Sequence, residues 1–233
     1  MSLFQPILAG ATGRDRAVAC LGAFLGIAIV TVAGLMMGAS PALVAPMGAS
    51  VVLLFVTPAS PLAQPWPVIG GNVISAAFGV FVAAHVPHPA LGAAIAVAGA
   101  IAIMSLARCL HPPGGAAALL PVLGGPSVAA SGYGFALAPV GLDALLLVGA
   151  GIVFHRWSGH AYPHRPAPVT PAKSPQFQPE DIDAALAELG ETFDVAREDL
   201  DILLQLAEQH ARDRRIGQPA SSARRSSRPP TYR

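Results

Sequence analysis

The distribution of charge constrains this chain more than any other feature. Lys and Arg total 14 and Asp and Glu total 13, yet between Ala17 and His155 only Arg108 and Asp143 are charged. This region contains apolar runs long enough to cross the roughly 30 Å hydrocarbon core of a bilayer as helices. The formal net charge of +1 therefore averages an apolar part and a highly charged C-terminal part. The pattern predicts an integral membrane protein embedded in the lipid bilayer, and we expect no nucleic-acid partner.

Prolines and changes in composition divide the chain into five parts. We predict an N-terminal cytoplasmic arm (1–16), a transmembrane domain (17–157), a Pro-rich linker (158–178), a cytoplasmic helical hairpin (179–216) and a disordered tail (217–233). The long membrane spans are expected at 17–38, 68–86, 91–107 and 139–157. A loop is expected at 127–134. The spacing of apolar residues predicts the two helices of the hairpin at 179–189 and 197–215.

An internal repeat relates two short segments that proline and glycine interrupt. Ala45-Pro46-Met47-Gly48 aligns without a gap with His111-Pro112-Pro113-Gly114. Each half, about 17–86 and 89–157, then has a long helix, a short broken helix and a second long helix. We therefore predict an all-α integral membrane protein with about six membrane segments, four long spans plus two short Pro/Gly-broken helices, in two inverted-repeat halves, followed by a short soluble helical hairpin. Broken segments at corresponding positions indicate a transporter binding site.

The basic residues predict the orientation of the chain. Arg14 and Arg16 precede the first span, and Arg156 with the charged tail follows the last. Because basic residues favour the cytoplasmic side, both termini are expected there, in a multi-pass protein of a bacterial inner membrane. An even number of crossings follows. Six crossings place Arg108 on the cytoplasmic side, whereas four would make the short segments re-entrant and leave it outside; we prefer six.

The stretch from Arg108 to Leu120 predicts an anion-receptive site. Two prolines and two glycines begin a helix whose N-terminus, with uncovered N–H groups, would lie beside Arg108 and His111. The competing interpretation is a plain loop before a membrane helix. Asp143 is expected to neutralise Arg108 when the site is empty, and the first broken segment to contribute from the other half. The predicted substrate-binding residues are Arg108, His111, Pro112, Pro113, Gly114, Gly115, Pro46, Gly48, Ala49, Ser50, Asn72 and Asp143.

Two other classes of function compete with anion transport. A metalloenzyme could use His85, His88 and His111 with Asp143, but neither a Gly-x-Ser-x-Gly nor a His-Glu-x-x-His motif occurs. We predict no enzyme activity, no metal and no cofactor. Alternatively, the protein is a non-transporting membrane anchor or sensor whose charged hairpin recruits a partner. The hairpin at 179–216 is expected to bind a cytoplasmic partner or a second copy of the chain.

These motifs together resemble the HPP family of membrane proteins. The resemblance covers roughly 16–157 and rests on His111-Pro112-Pro113 followed by two glycines, the break at 46–50, Gln64-Pro65 and Gly70-Gly71. Plant and cyanobacterial members are linked to nitrite transport, so the resemblance implies a transporter or channel for a small monovalent anion. The segment 180–212 resembles the linker that joins this domain to paired CBS domains in longer bacterial relatives. We expect nothing foldable after residue 217, and this departure from the longer relatives argues against adenylate regulation within the chain.

Overall fold

The computed structural model describes residues 13–38, 43–165, 178–189 and 194–216. It divides the chain into a membrane unit, Met1–His164, and a C-terminal unit, Arg165–Arg233. The predicted tail at 217–233, most of the linker and most of the N-terminal arm lie outside the described residues.

Most of the described residues are helical and none of them lies in a strand, which confirms the all-α prediction. The helices are α1 (Gly13–Met36), α2 (Pro46–Val56), α3 (Pro65–His85), α4 (Pro89–Leu106), α5 (Pro113–Leu123), α6 (Pro126–Ser131), α7 (Leu142–Ser158), α8 (Pro179–Leu189) and α9 (Arg197–Ile216). A wide turn of π-helix, Ala136–Gly141, precedes α7. Four helices are long and apolar enough to cross a membrane: α1, α3, α4 and the continuous run Ala136–Ser158. Helices α2 and α5 have 11 residues each, about half a membrane thickness.

Proline determines where many of these helices begin. Six of the described helices, α2 to α6 and α8, have proline as their first residue, where a missing N–H costs nothing. The expectation of a loop at 127–134 was wrong, because Pro126 begins the short helix α6 there. Pro139 lies inside the π-helical turn, and its missing N–H explains why regular α-helix starts only at Leu142.

The helices of the membrane unit pack in two sets. Helix α1 packs on α2 and α7, while α4 packs on α5 and α3, and α2 contacts α5 where the sets meet. One buried apolar cluster is centred on α1, α2 and α7, and a smaller one on α3, α4 and α5. The outward surfaces carry exposed large apolar side chains such as Phe24, Leu35 and Leu106, as expected where lipid covers the protein.

Side-chain contacts give the direction of each helix. A Cβ on Gly22 would lie 2.8 Å from Phe154, and one on Gly26 would lie 3.1 Å from Leu147, so α1 and α7 are antiparallel. Trp66 Nε1, at the start of α3, donates to the carbonyl of Ala107, just beyond the end of α4. The start of α1 thus lies beside the end of α7, and the start of α3 beside the end of α4. Contacts of the residues that follow α7 bring both pairs to one shared end of the unit.

That shared end includes the residues that follow α7. The Tyr162 hydroxyl donates to the carbonyl of Ala63 at 2.9 Å, and the N–H of His164 donates to Gln64 Oε1 at 2.8 Å. The membrane unit thus continues to His164, although the linker was expected to begin at 158. Burial raises the pKa of Tyr162, so its hydroxyl stays a neutral donor.

In the C-terminal unit both helices occur where the sequence predicts them. Asp183 on α8 accepts from Arg197 Nε, at the start of α9, at 2.5 Å. This hydrogen bond raises the pKa of the Arg197 guanidinium. Ile182 is buried and Leu186 half-buried on α8, whereas Leu203 and Leu206 on α9 are exposed. The pair joins the two helices, and α9 keeps part of its apolar surface uncovered.

Candidate functional site

Four polar side chains are completely buried near the centre of the membrane unit. Ser50 comes from α2, Asn72 and Ser75 from α3, and His111 from the connection between α4 and α5, and each is 0% exposed. We call these four residues the polar cluster. Buried polar groups in a membrane domain are expensive unless hydrogen-bonded, so their arrangement indicates either a structural network or a binding site.

His111 connects the polar cluster to the loop between α2 and α3. Its Nδ1 lies 2.9 Å from the carbonyl oxygen of Leu62, and its Nε2 lies 2.8 Å from Ser50 Oγ. Because a carbonyl can only accept, Nδ1 carries a proton. In the neutral imidazole Nε2 then accepts from the Ser50 hydroxyl, so one tautomer satisfies both contacts.

Asn72 and Ser75 leave hydrogen-bonding capacity unused. Asn72 Nδ2 donates to the carbonyl of Val68 at 2.8 Å and to Ser50 Oγ at 3.3 Å. Asn72 Oδ1 and Ser75 Oγ have no hydrogen-bond partner among the described residues, although both atoms are buried. Buried unpaired polar atoms are uncommon in folded proteins and call for an explanation.

Two glycines let the backbones approach closely around the polar cluster. A Cβ on Gly71 would lie 2.7 Å from the carbonyl oxygen of Cys109 and 2.7 Å from His111 Cβ. A Cβ on Gly114 would lie 2.8 Å from Ser75 Oγ. Ser75 is the central residue of α3, so the start of α5 lies at mid-depth in the unit.

Helices α2 and α5 both begin near this centre and extend in opposite directions. The carbonyl of Leu54, late in α2, accepts from His155 Nε2 near the end of α7. The contacts of α5 run the other way. The carbonyl oxygen of Ala118 in α5 lies against Gly79 of α3, and Val122, near the end of α5, lies against Gly92 near the start of α4. Helix α2 thus extends to the end that holds the C-terminus of α7, and α5 to the opposite end.

The first-turn N–H groups differ from the sequence prediction. They were expected to be uncovered, but Gly114 N donates to His111 O at 2.8 Å and Gly115 N to Pro112 O at 3.1 Å. In α2, Met47 N and Gly48 N make the same type of bond. The reason is that Ala45 and Pro112, the residues before each helix, already have helical φ and ψ. A ligand here would experience the helix dipole rather than free N–H groups.

Arg108 does not join the polar cluster. It has φ +52° and follows α4 as the left-handed residue of a Schellman motif, with Arg108 N donating to Ser105 O and Cys109 N to Met104 O. Its side chain is exposed at the end of the unit that holds the start of α3. No ion pair of the described residues includes the guanidinium.

Asp143 is engaged elsewhere, so the predicted pairing with Arg108 is not found in the described structure. The carboxylate is 2% exposed, and its Oδ2 accepts from the backbone N–H of Val44 at 3.0 Å. This bond holds the chain just before α2 against the first turn of α7. Asp143 therefore anchors the segment that leads into the polar cluster, without belonging to it.

The remaining predicted binding residues lie at the starts of α2 and α5 and differ in how far they are buried. Pro46 and Pro113 are buried, Pro112 is exposed and Gly115 is half-buried. Gly48 and Ala49 are exposed, and a Cβ on Gly48 would meet nothing within 4 Å. Of the twelve predicted residues, the structure brings Ser50, Asn72 and His111 together and packs buried Gly114 against Ser75.

The histidines proposed for a metalloenzyme are dispersed. His85 Nδ1 lies against the carbonyl of Phe81, and His88 Nδ1 accepts from Leu91 N at the start of α4, while His111 belongs to the polar cluster. In the described parts of the chain, no three His, Cys, Asp or Glu side chains come together as metal ligands.

Sequence reasoning missed Ser75 and a second buried histidine. His155 is 3% exposed; its Nε2 donates to Leu54 O, and its Nδ1 lies 2.8 Å from Ser158 Oγ. The i, i+3 spacing of Asn72 and Ser75 on one helix face could have indicated Ser75. For His155 the sequence carries no signal that distinguishes it from an exposed histidine at the end of a span.

Comparison with known proteins gives the family. Residues 9–163 match the family described as HPP, transmembrane region. A transmembrane protein of Dictyostelium discoideum is 32% identical over 120 residues, which are 50% of this chain and 42% of the relative. A second transmembrane protein of that organism is 39% identical over 79 residues, 32% of this chain and 25% of the relative. No solved structure matches. Since the family match covers most of the membrane unit and includes the buried His111, this chain belongs to the HPP family of transmembrane proteins.

Proposed function

We propose that the protein is a membrane transporter or channel for a small monovalent anion. The observation that carries this proposal is the polar cluster, where α2, α3 and α5 meet and two buried polar atoms, Asn72 Oδ1 and Ser75 Oγ, lack partners among the described residues. A purely structural network would be expected to satisfy its members, whereas a binding site keeps atoms for its ligand.

The arrangement of the short helices supports a site near the membrane midplane. Both α2 and α5 begin beside the polar cluster, so the positive ends of two helix dipoles point toward it. The packing of α1 with α2 and α7 corresponds to that of α4 with α5 and α3. This correspondence supports the inverted repeat, in which the two broken segments take equivalent positions around one site.

The positions of the arginines support cytoplasmic termini. Arg14 and Arg16 begin α1, Arg108 follows α4 and Arg156 ends α7, and all four lie at the shared end of the membrane unit. By the positive-inside rule this end is cytoplasmic. Single cysteines at the exposed positions Ala59 and His88, in a background without Cys20 and Cys109, test the assignment: Ala59 should be labelled from the cytoplasm and His88 from outside. The reverse pattern would contradict six crossings.

Nitrite is a candidate substrate because HPP relatives are linked to it, and the tight packing at Gly71 and Gly114 favours a small ion. Uptake of nitrite, nitrate, formate and chloride into proteoliposomes tests the proposal. Ser75→Ala should lower uptake, whereas Ser105→Ala should not, because the Ser105 hydroxyl is exposed and donates to Ile101 O in its own helix. No uptake of any ion by correctly inserted protein would refute transport.

The anchor or sensor function is the alternative, and the ion-paired helices α8 and α9 with exposed Leu203 and Leu206 favour it. Deletion of 178–233 distinguishes the two. A transporter should keep its flux at equal membrane abundance, because the polar cluster lies within the membrane unit. A protein that carries no ion, but whose C-terminal unit retains a partner in the membrane fraction, would be an anchor.

A further inference from the structure

The donor and acceptor roles within the polar cluster are fixed by two backbone carbonyls. Leu62 O requires a proton on His111 Nδ1, and Val68 O requires the NH₂ group of Asn72 to face it. Exchanging the amide N and O of Asn72 would place two oxygens 2.8 Å apart, so the amide orientation is determined. Ser50 then donates to His111 Nε2 and accepts from Asn72.

What remains for a ligand is one acceptor and one hydroxyl. Asn72 Oδ1 can only accept, and Ser75 Oγ can donate or accept. Asn72 and Ser75 are three residues apart on α3 and therefore neighbours on one face, which the start of α5 covers at Gly114. A ligand that satisfies both atoms must donate one hydrogen bond and can accept another.

No fixed charge of the described residues faces these two atoms. Helix α2 contributes Ser50, α3 contributes Asn72 and Ser75, and the α4–α5 connection contributes His111, whose neutral form satisfies both of its contacts. Asp143 is bonded to Val44 N, and Arg108 is exposed at the membrane end. A bare anion would thus be buried beside an oxygen that only accepts, with two helix dipoles but no full countercharge to stabilise it, which is unfavourable.

Resting on the transport function proposed above, we propose that the polar cluster binds its substrate as the undissociated weak acid. The O–H of the acid donates to Asn72 Oδ1, and its second oxygen accepts from the Ser75 hydroxyl. The substrate class is small oxoacids with one weakly acidic O–H, such as nitrous and formic acid. The anion takes up one proton before binding and loses it after release, so one proton and one anion cross together and no net charge moves.

Proteoliposomes with a pH-sensitive dye inside and a potential-sensitive dye in the membrane test this proposal, with protein-free vesicles as background. Nitrite and formate should enter in a protein-dependent way, acidify the interior and leave the potential unchanged. Above the pKa of the acid, the rate should rise about tenfold per unit fall in external pH, in proportion to the undissociated form. Nitrate and chloride, whose acids are strong, should not be carried.

Variants test the two atoms themselves. Asn72→Leu removes the acceptor, and Ser75→Ala, which changes little volume, removes the hydroxyl; each should lower protein-dependent formate uptake about tenfold or more. Ser105→Ala is the matched control on the exposed surface of α4 and should retain the native rate. If Asn72→Leu fails to insert, the comparison of Ser75→Ala with Ser105→Ala still decides.

The outcomes separate this inference from the proposed function. Uptake of nitrate or chloride with a change in membrane potential would overturn the undissociated acid as ligand and leave anion transport standing. Native rates in inserted Asn72→Leu and Ser75→Ala proteins would show that the two atoms hold only water. Absence of protein-dependent flux for all four ions would refute the transport function and this inference with it.

Discussion

Two adjacent glycines at the start of α5 provide a sharp test of how the membrane unit is packed. A Cβ on Gly114 would lie 2.8 Å from Met104 Sδ, 2.8 Å from Ser75 Oγ and 3.0 Å from the carbonyl oxygen of Gly71. A Cβ on Gly115 would have only Val97 Cγ1 near it, at 3.9 Å. The same substitution by alanine should therefore have opposite effects at the two positions.

The expected magnitudes follow from these distances. At Gly114 the added methyl group must separate α5 from α3 and α4, and overpacking of this kind costs about 1–3 kcal/mol. Replacing glycine in a helix stabilises it by about 0.5–1 kcal/mol, so Gly114→Ala should destabilise the fold by a net amount of up to about 2.5 kcal/mol. At Gly115 the methyl group finds ordinary space, and Gly115→Ala should stabilise the fold by up to about 1 kcal/mol.

Unfolding by SDS in mixed micelles, followed by tryptophan fluorescence and circular dichroism, gives the free energy of unfolding for both variants. Gly114→Ala should also reduce uptake, because it displaces α5 from Ser75. A Gly114→Ala protein at least as stable as the native one would contradict the close packing of α3 and α5. Equal destabilisation by both substitutions would show that the distances do not decide the outcome.

Three further predictions concern residues outside the polar cluster. Arg108→Gly should keep the fold, because glycine suits φ +52°. It should lower anion uptake at low ionic strength, because it removes a positive charge from the membrane end. Arg108→Lys keeps the charge and should preserve the uptake. Asp143→Asn keeps an acceptor for the N–H of Val44, whereas Asp143→Leu leaves that N–H unpaired and should cost about 1–3 kcal/mol in the same SDS titration. Tyr162→Phe removes the donor to Ala63 O and should lower stability by about 0.5–1.5 kcal/mol; no change in melting temperature would show that this contact contributes nothing.

The sequence was sufficient for the four long spans, the two short broken helices and α8 and α9, because strong local signals specify them, but it did not predict α6. The absence of charge between Ala17 and His155, apart from Arg108 and Asp143, defines the membrane domain. Prolines 46, 65, 89 and 113 are the first residues of α2, α3, α4 and α5, since their fixed φ and missing N–H favour the first turn, although the sequence prediction began the spans of α3 and α4 at 68 and 91. These signals act within a few residues and need no knowledge of tertiary contacts.

The composition of the site was harder to predict because these helices are apolar on every side. Without a polar face, the hydrophobic pattern does not distinguish buried Ser75 from exposed Ser105, and only the i, i+3 spacing from Asn72 points to Ser75. The two charges of the membrane domain looked like a pair because no other partner was apparent. In the structure, the left-handed conformation at the end of α4 turns Arg108 outward. The Asp143 carboxylate instead accepts a hydrogen bond from the backbone N–H of Val44, 99 positions away in the chain.

In the transport function that we propose, the exposed position of Arg108 would separate the attraction of anions from the binding of the ligand. An arginine held in a conformation that costs an L-residue about 1–2 kcal/mol lies at the membrane end, where it can attract anions without being buried. The buried polar cluster contains neutral groups, so a ligand that reaches it must leave the field of that arginine. An anion could be attracted by Arg108 at the surface and then protonated before it is buried. The charge would act where water surrounds it, and the ligand would be neutral in the membrane interior, where burying a charge is costly. Arg108→Gly should therefore reduce the rate at low substrate concentration, while Ser75→Ala should reduce it at saturation as well.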